Sequence, residues 1–89
     1  MAKEKRLYIY YTSGEEAVKR VEDFIDECLE IDGEVEIKDT GKYSFSFGDM
    51  KGISLTCYKD SKEVIKEIVM APISDKKWRR FLRKTLGWS

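Results

Sequence analysis

The sequence predicts an α+β fold in one small domain spanning residues 1–89, ordered β-α-β-β-β(-β)-α, with an antiparallel sheet packed by an acidic amphipathic helix and closed by a basic, aromatic C-terminal helix. Three observations predict it. Several short stretches alternate apolar and polar residues with period two, two longer stretches repeat apolar residues at helical spacing, and Gly, Asp, Ser and Pro separate them. The length excludes a second domain, and a hydrophobic content of 42% with 12% aromatics excludes a disordered chain.

Leu7 to Thr12 alternates Leu7, Ile9 and Tyr11 with Tyr8, Tyr10 and Thr12, the pattern of an aromatic-rich strand. Ser13 and Glu16 then read as a capping box that opens a helix. Ala17, Val18, Val21, Phe24, Ile25, Cys28 and Leu29 form its apolar stripe, and Asp32-Gly33 ends it. Glu34 to Lys38 reads as a short strand, Asp39 to Lys42 as a tight turn, Tyr43 to Phe47 as a second strand, Gly48 to Gly52 as another turn, and Ile53 to Tyr58 as a third strand. Residues 60–71 suit either a helix or a strand, and their density of β-branched residues favours the strand. Pro72 breaks that pattern, Ser74-Asp75 starts the final helix, and Gly87 ends it.

Parity assigns Leu7, Ile9, Tyr11, Val35, Ile37, Tyr43, Phe45, Phe47, Ile53, Leu55 and Cys57 to the sheet face beneath the first helix. Tyr8, Tyr10, Thr12, Ser44, Ser46, Ser54, Thr56 and Tyr58 then share the reverse face, which the C-terminal helix either covers or leaves open. Cys28 and Cys57 lie among apolar neighbours without a Cys-x-x-Cys spacing, and two buried free thiols are expected in preference to a disulfide. With no apolar run long enough for a membrane span or a signal peptide, a cytoplasmic location is the default.

The net charge of zero conceals two opposite poles. Residues 15–36 hold ten carboxylates against Lys19 and Arg20, whereas residues 75–89 hold six cations against Asp75. Opposed poles on one small domain favour binding over chemistry. There is no His, which removes the commonest general base and metal ligand, and the six glycines are scattered rather than gathered into a phosphate loop. Neither catalysis nor a metal or other cofactor is therefore expected.

Two strands, Leu7-Tyr8-Ile9-Tyr10 and Lys51 to Tyr58, faintly resemble the signature strands of RNA-recognition motif domains across residues 7–69. In that family the base-stacking aromatics occupy positions that here are Ile53 and Leu55. Membership is not assigned, and no residue roles are carried over. Tyr8, Tyr10 and Tyr58 remain stacking candidates on their own chemistry.

The expected function is non-enzymatic binding to another macromolecule, foremost a protein, in the manner of an inhibitor or adaptor. Trp78, Phe81 or Trp88 would serve as the aromatic anchor, with Arg79, Arg80, Arg83 and Lys84 or the acidic ladder Glu22, Asp23, Asp26 and Glu30 steering association. The alternative is nucleic-acid binding through the basic helix and the Tyr-rich face. Two further readings concern that helix: its aromatic side docks on the sheet with its cations solvated or paired with the acidic helix, or the helix binds an acidic protein groove or an anionic lipid surface. An exposed strand edge or the uncovered sheet face also admits a homodimer.

Overall fold

A computed structural model describes residues 6–88, with the side chains of residues 6–8 outside the description. The elements are β1 (Arg6–Tyr10), α1 (Gly14–Glu30), β2 (Glu34–Phe45), β3 (Gly48–Lys59), β4 (Lys62–Pro72) and α2 (Lys76–Leu86). They build an α+β domain whose single sheet is ordered β1-β4-β3-β2. Residues 62–72 are a strand, as their β-branched density predicts. The sheet is mixed rather than wholly antiparallel, because β1 runs parallel to β4 while β2, β3 and β4 form an antiparallel meander. From β1 the chain crosses through α1 to the opposite edge, and the meander returns it beside β1 in the same direction.

Both helices lie on one face of the sheet. Ala17, Val21, Phe24 and Cys28 of α1 pack with Trp78 and Leu82 of α2 over Ile53, Leu55, Cys57, Val69 and Ala71. Burial of each large side chain in this cluster contributes about 1.5–3 kcal/mol. Leu29, placed in the α1 stripe by its spacing, is instead 57% exposed beyond the edge of the core.

The two helix starts share one carboxylate. Ser13 occupies the N-cap position of α1 without a side-chain cap hydrogen bond, so the expected capping box is absent. Asp75 takes over that role, its Oδ2 accepting from the Gly14 N–H at 2.8 Å while its Oδ1 accepts from the N–H groups of Lys77 and Trp78 at the start of α2. A side chain at position 14 would collide with this carboxylate. Donation by these backbone N–H groups holds the Asp75 carboxyl below its ordinary pKa.

Between Asp39 and Lys42 there is no turn. β2 continues to Phe45, and Thr40 is the extra residue of a bulge, since Asp39 pairs with Ile53 while Gly41 pairs with Gly52. Asp39 Oδ1 accepts the Gly41 N–H at 2.7 Å, and Gly41 has φ 97°. The hairpin reverses at Ser46-Phe47, so residues 48–52 belong to β3 instead of a loop. Asp60 and Ser61, both with φ near +60°, form the two-residue connection into β4 that a twisted hairpin prefers.

The bulge reverses side-chain parity. Val35 and Ile37 face the helices, but Tyr43 and Phe45 pack on the other face with Met50, Ile68 and Met70, contrary to the assignment from alternation alone. Tyr10 and Phe45 lie on opposite edge strands, separated in a flat sheet by about three strand spacings, or roughly 14 Å. Their ring centroids are nevertheless 5.4 Å apart. The far half of the β2–β3 hairpin must therefore curl across the reverse face. Gly52 permits this closure, because a β-carbon there would lie 2.7 Å from the Tyr43 ring and 2.8 Å from Thr40 Oγ1. The reverse face is thus covered at one end by the sheet's own hairpin and, among the described residues, by no helix.

Cys28 and Cys57 form a disulfide, with Cα atoms 5.7 Å apart, in place of the expected free thiols. The left-handed residue that ends α1 is Asp32, with φ 58°, rather than Gly33. Gly33 has another purpose: a β-carbon there would lie 2.7 and 2.8 Å from the two sulfurs. Absence of a side chain lets the chain pass directly over the bond.

Candidate functional site

Helical spacing divides the six cations of α2 between two flanks, because Trp78 and Leu82 occupy the buried side. The inner flank faces α1. There Val18, Phe81 and the stems of longer side chains floor a cleft of about 570 Å³, rimmed by Glu15, Lys19, Glu22, Lys77, Arg80 and Lys84. Lys77 donates to Glu15 at 2.5 Å, and that bond holds the Glu15 carboxyl below its ordinary pKa. The cleft therefore has an apolar floor, a positive side on α2 and a mixed side on α1. Its shape suits an apolar side chain flanked by charge.

The outer flank is different. Lys76, Arg79, Arg80 and Arg83 line a hollow of about 280 Å³ that contains no carboxylate. Arg79 also borders a second groove, of about 380 Å³, together with Phe47, Gly48, Asp49, Met50, Pro72, Ile73 and Ser74. Phe47 is 69% exposed at the hairpin turn and stacks on Phe45 with centroids 5.0 Å apart and ring planes at 9°. Tyr10, 56% exposed, meets Phe45 edge-on.

Other cations have structural partners. Arg20 makes a two-pronged pair with the buried Glu67, at 2.9 and 2.5 Å, and also reaches Glu27, which together raise its pKa further above the ordinary range. Lys51, almost fully buried, donates to Asp39 at 2.5 Å and lies 5.3 Å from the centre of the Trp88 ring. That donation and the Gly41 N–H keep the Asp39 carboxyl below its ordinary pKa.

These positions sort the residues singled out by the sequence. Trp78 is fully buried, with its indole N–H donating to the Lys51 carbonyl at 3.0 Å, so it is a core residue inaccessible as an anchor. Phe81 is half-buried, stacked on Trp78 at 5.6 Å, and still reaches the cleft. Trp88 is half-buried against the core. Arg79, Arg80, Arg83 and Lys84 are exposed, as are Glu22, Asp23, Asp26 and Glu30 on α1, and none of these eight forms an ion pair among the described residues. Tyr58 lies far from the basic flank in the register, donates to Glu36 at 3.2 Å and borders a hollow with Asp32, Glu34 and Asp60. Its surroundings push the phenol pKa up. Tyr8 lies beside Ile68 in the register, and its side chain is outside the description.

Alternation places Phe45 and Phe47 in the core beneath the helix, which hides their role on the reverse face and at the turn. The signal that could have found it is Gly48, since Phe47-Gly48 can close a hairpin as readily as it can extend a strand. Among the described residues no group of three or more His, Cys, Asp or Glu side chains is arranged to hold a metal ion, and no helix is long and apolar enough to cross a membrane. The chain matches no protein-family model, no curated protein and no solved structure.

Proposed function

We propose that the protein is a non-enzymatic binding module of the inhibitor or adaptor type, and that it engages another protein at the cleft between α1 and α2. The observation that carries this reading is the coincidence, in one cleft, of an apolar floor of Val18 and Phe81 with a rim supplied by both charge poles. A partner residue seated on that floor would provide most of the affinity, while Arg80, Lys84 and Glu22 would orient the approach. With Trp78 buried, Phe81 is the anchor-forming residue of α2.

Val18→Glu places a charge on the cleft floor at a half-buried position packed against the core edge, so circular dichroism first checks that the variant folds. A protein bound by the wild type should be lost with this variant. It should be retained, with a slower association rate, by Arg80→Ala with Lys84→Ala. Binding that survives Val18→Glu in a folded variant would rule out the cleft.

The disulfide also bears on location. Such bonds persist in oxidising compartments or in the cytoplasm of hyperthermophiles, and they are reduced in an ordinary cytosol. The Cys28–Cys57 bond therefore argues against the reducing cytoplasm suggested by the sequence. Thiol alkylation during native extraction distinguishes the two settings.

A further inference from the structure

We propose that the outer flank of α2 and the β2–β3 turn together form a binding site for single-stranded nucleic acid, with phosphates on Lys76, Arg79, Arg80 and Arg83 and a base stacked on Phe47. The proposal does not depend on the cleft reading, although Arg80, on the crest of α2, borders both surfaces.

Charge distribution supplies the first argument. Lys77, Arg20 and Lys51 each have a carboxylate partner, whereas the four cations of the outer hollow have none among the described residues, and no carboxylate lines that hollow. Like charges held together without neutralisation raise the local potential and favour an incoming anion. Residues 76, 79, 80 and 83 fall within two helical turns on one side of α2, a row about 10 Å long. Such a row reaches about three phosphates of one strand. The exposed carboxylates of α1 repel phosphates from the inner flank, which confines a strand to the outer one.

Geometry supplies the second argument. Arg79 belongs both to the hollow and to the groove bordered by Phe47, so the cations and the aromatic turn form one continuous surface. Phe47 is supported on one ring face by Phe45 and is 69% exposed. An unstacked base can continue that pile, as in single-strand binding, whereas paired bases in a duplex have their faces already occupied. Asp49, the one carboxylate in the groove, can accept from a base amino group. A duplex would meet the cations but leave the stacked rings unused.

The experiment measures anisotropy of a fluorescent oligothymidylate with the disulfide-bonded protein over a salt series, with a hairpin duplex and polyglutamate as competitors. Neutralising about three phosphates should give a log–log salt slope of about −2. Phe47→Ala should weaken binding roughly 5- to 100-fold with little change in slope, as expected for loss of one stacked base. Arg79→Ala with Arg83→Ala should make the slope shallower by about 1. Circular dichroism checks that these exposed-site variants fold. Absence of binding at low salt, an unchanged affinity in folded Phe47→Ala, preference for the duplex, or equal competition by polyglutamate would each overturn the proposal, the last in favour of an acidic protein partner.

Discussion

The two halves of the β2–β3 hairpin have nearly the same composition pattern and opposite destinations. Before the bulge, Val35 and Ile37 pair with Cys57 and Leu55 and face the helices; after it, Tyr43 pairs with Met50 and faces away. One inserted residue, Thr40, separates them. The first half is fixed by a disulfide and a deep core, and the second by curvature, a glycine and an aromatic lid. An apolar alternation thus reports that a strand has a buried face, but continuity of that face depends on the register of its partner.

Deleting Thr40 attacks this difference directly. It would force Tyr43 and Phe45 toward the crowded helix side, and the expected loss exceeds about 4 kcal/mol, enough to abolish cooperative unfolding in urea. A deletion variant with wild-type urea resistance would show that the bulge is incidental. Replacing both cysteines by serine loosens only the first half, and should cost about 2–5 kcal/mol. Hydrogen exchange should then accelerate around Cys57 before it does around Met50.

Gly52→Ala tests the second half, since the new methyl meets the Tyr43 ring and Thr40 Oγ1. Overpacking of this kind costs about 1–3 kcal/mol. Combining it with Tyr43→Ala should recover part of that loss in a double-mutant cycle. The junction between the halves carries the Lys51–Asp39 pair, and its effect is smaller because the Asp39 side chain is 44% exposed. Asp39→Asn should cost about 1 kcal/mol near neutral pH after discounting for solvent. The Asp39 carboxyl is lowered from 3.8, so its contribution is present above that value and fades as pH falls through the lower folded-state value. The Asp39→Asn variant should therefore flatten the acid limb of the urea midpoint against pH. Phe47→Ala, at the solvent-facing tip, should shift stability by less than about 0.5 kcal/mol.

Much of the fold was written locally. The α1 stripe, the β-branched run of β4, Asp75 as a cap and Gly87 as a left-handed terminator, with φ 68°, require only a few neighbouring residues to interpret. What was illegible depends on distant pairing. Asp39-Thr40-Gly41 has turn chemistry whether it closes a hairpin or bulges opposite Gly52, and the parallel match of Arg6 with Lys66 is invisible to periodicity. Gly33 is a faint sign of the disulfide, but the sulfurs it accommodates belong to cysteines 29 residues apart that meet only in the folded chain.

The functional surfaces divide along the same line. The cations of α2 could be found from the sequence because a charge run is solvated in almost any fold, but Trp78 follows the docked-helix reading rather than the anchor one, and Phe47 leaves the core expected for it. Trp78 belongs to the core and Phe47 to the surface. Helical spacing left the exposure of Trp78 open, since an amphipathic face can meet either a sheet or a partner. The strand alternation concealed the turn at Phe47.

The shared Asp75 carboxylate has a consequence for the order of events during synthesis. Gly14 and the residue that caps it are 61 positions apart, so α1 emerges from the ribosome with its first N–H bare. β1 likewise waits for β4. At roughly 5–20 residues per second, several seconds pass before the missing carboxylate is made. The early helix and strand can form only provisionally in that interval, and they are locked when β4 and the start of α2 arrive.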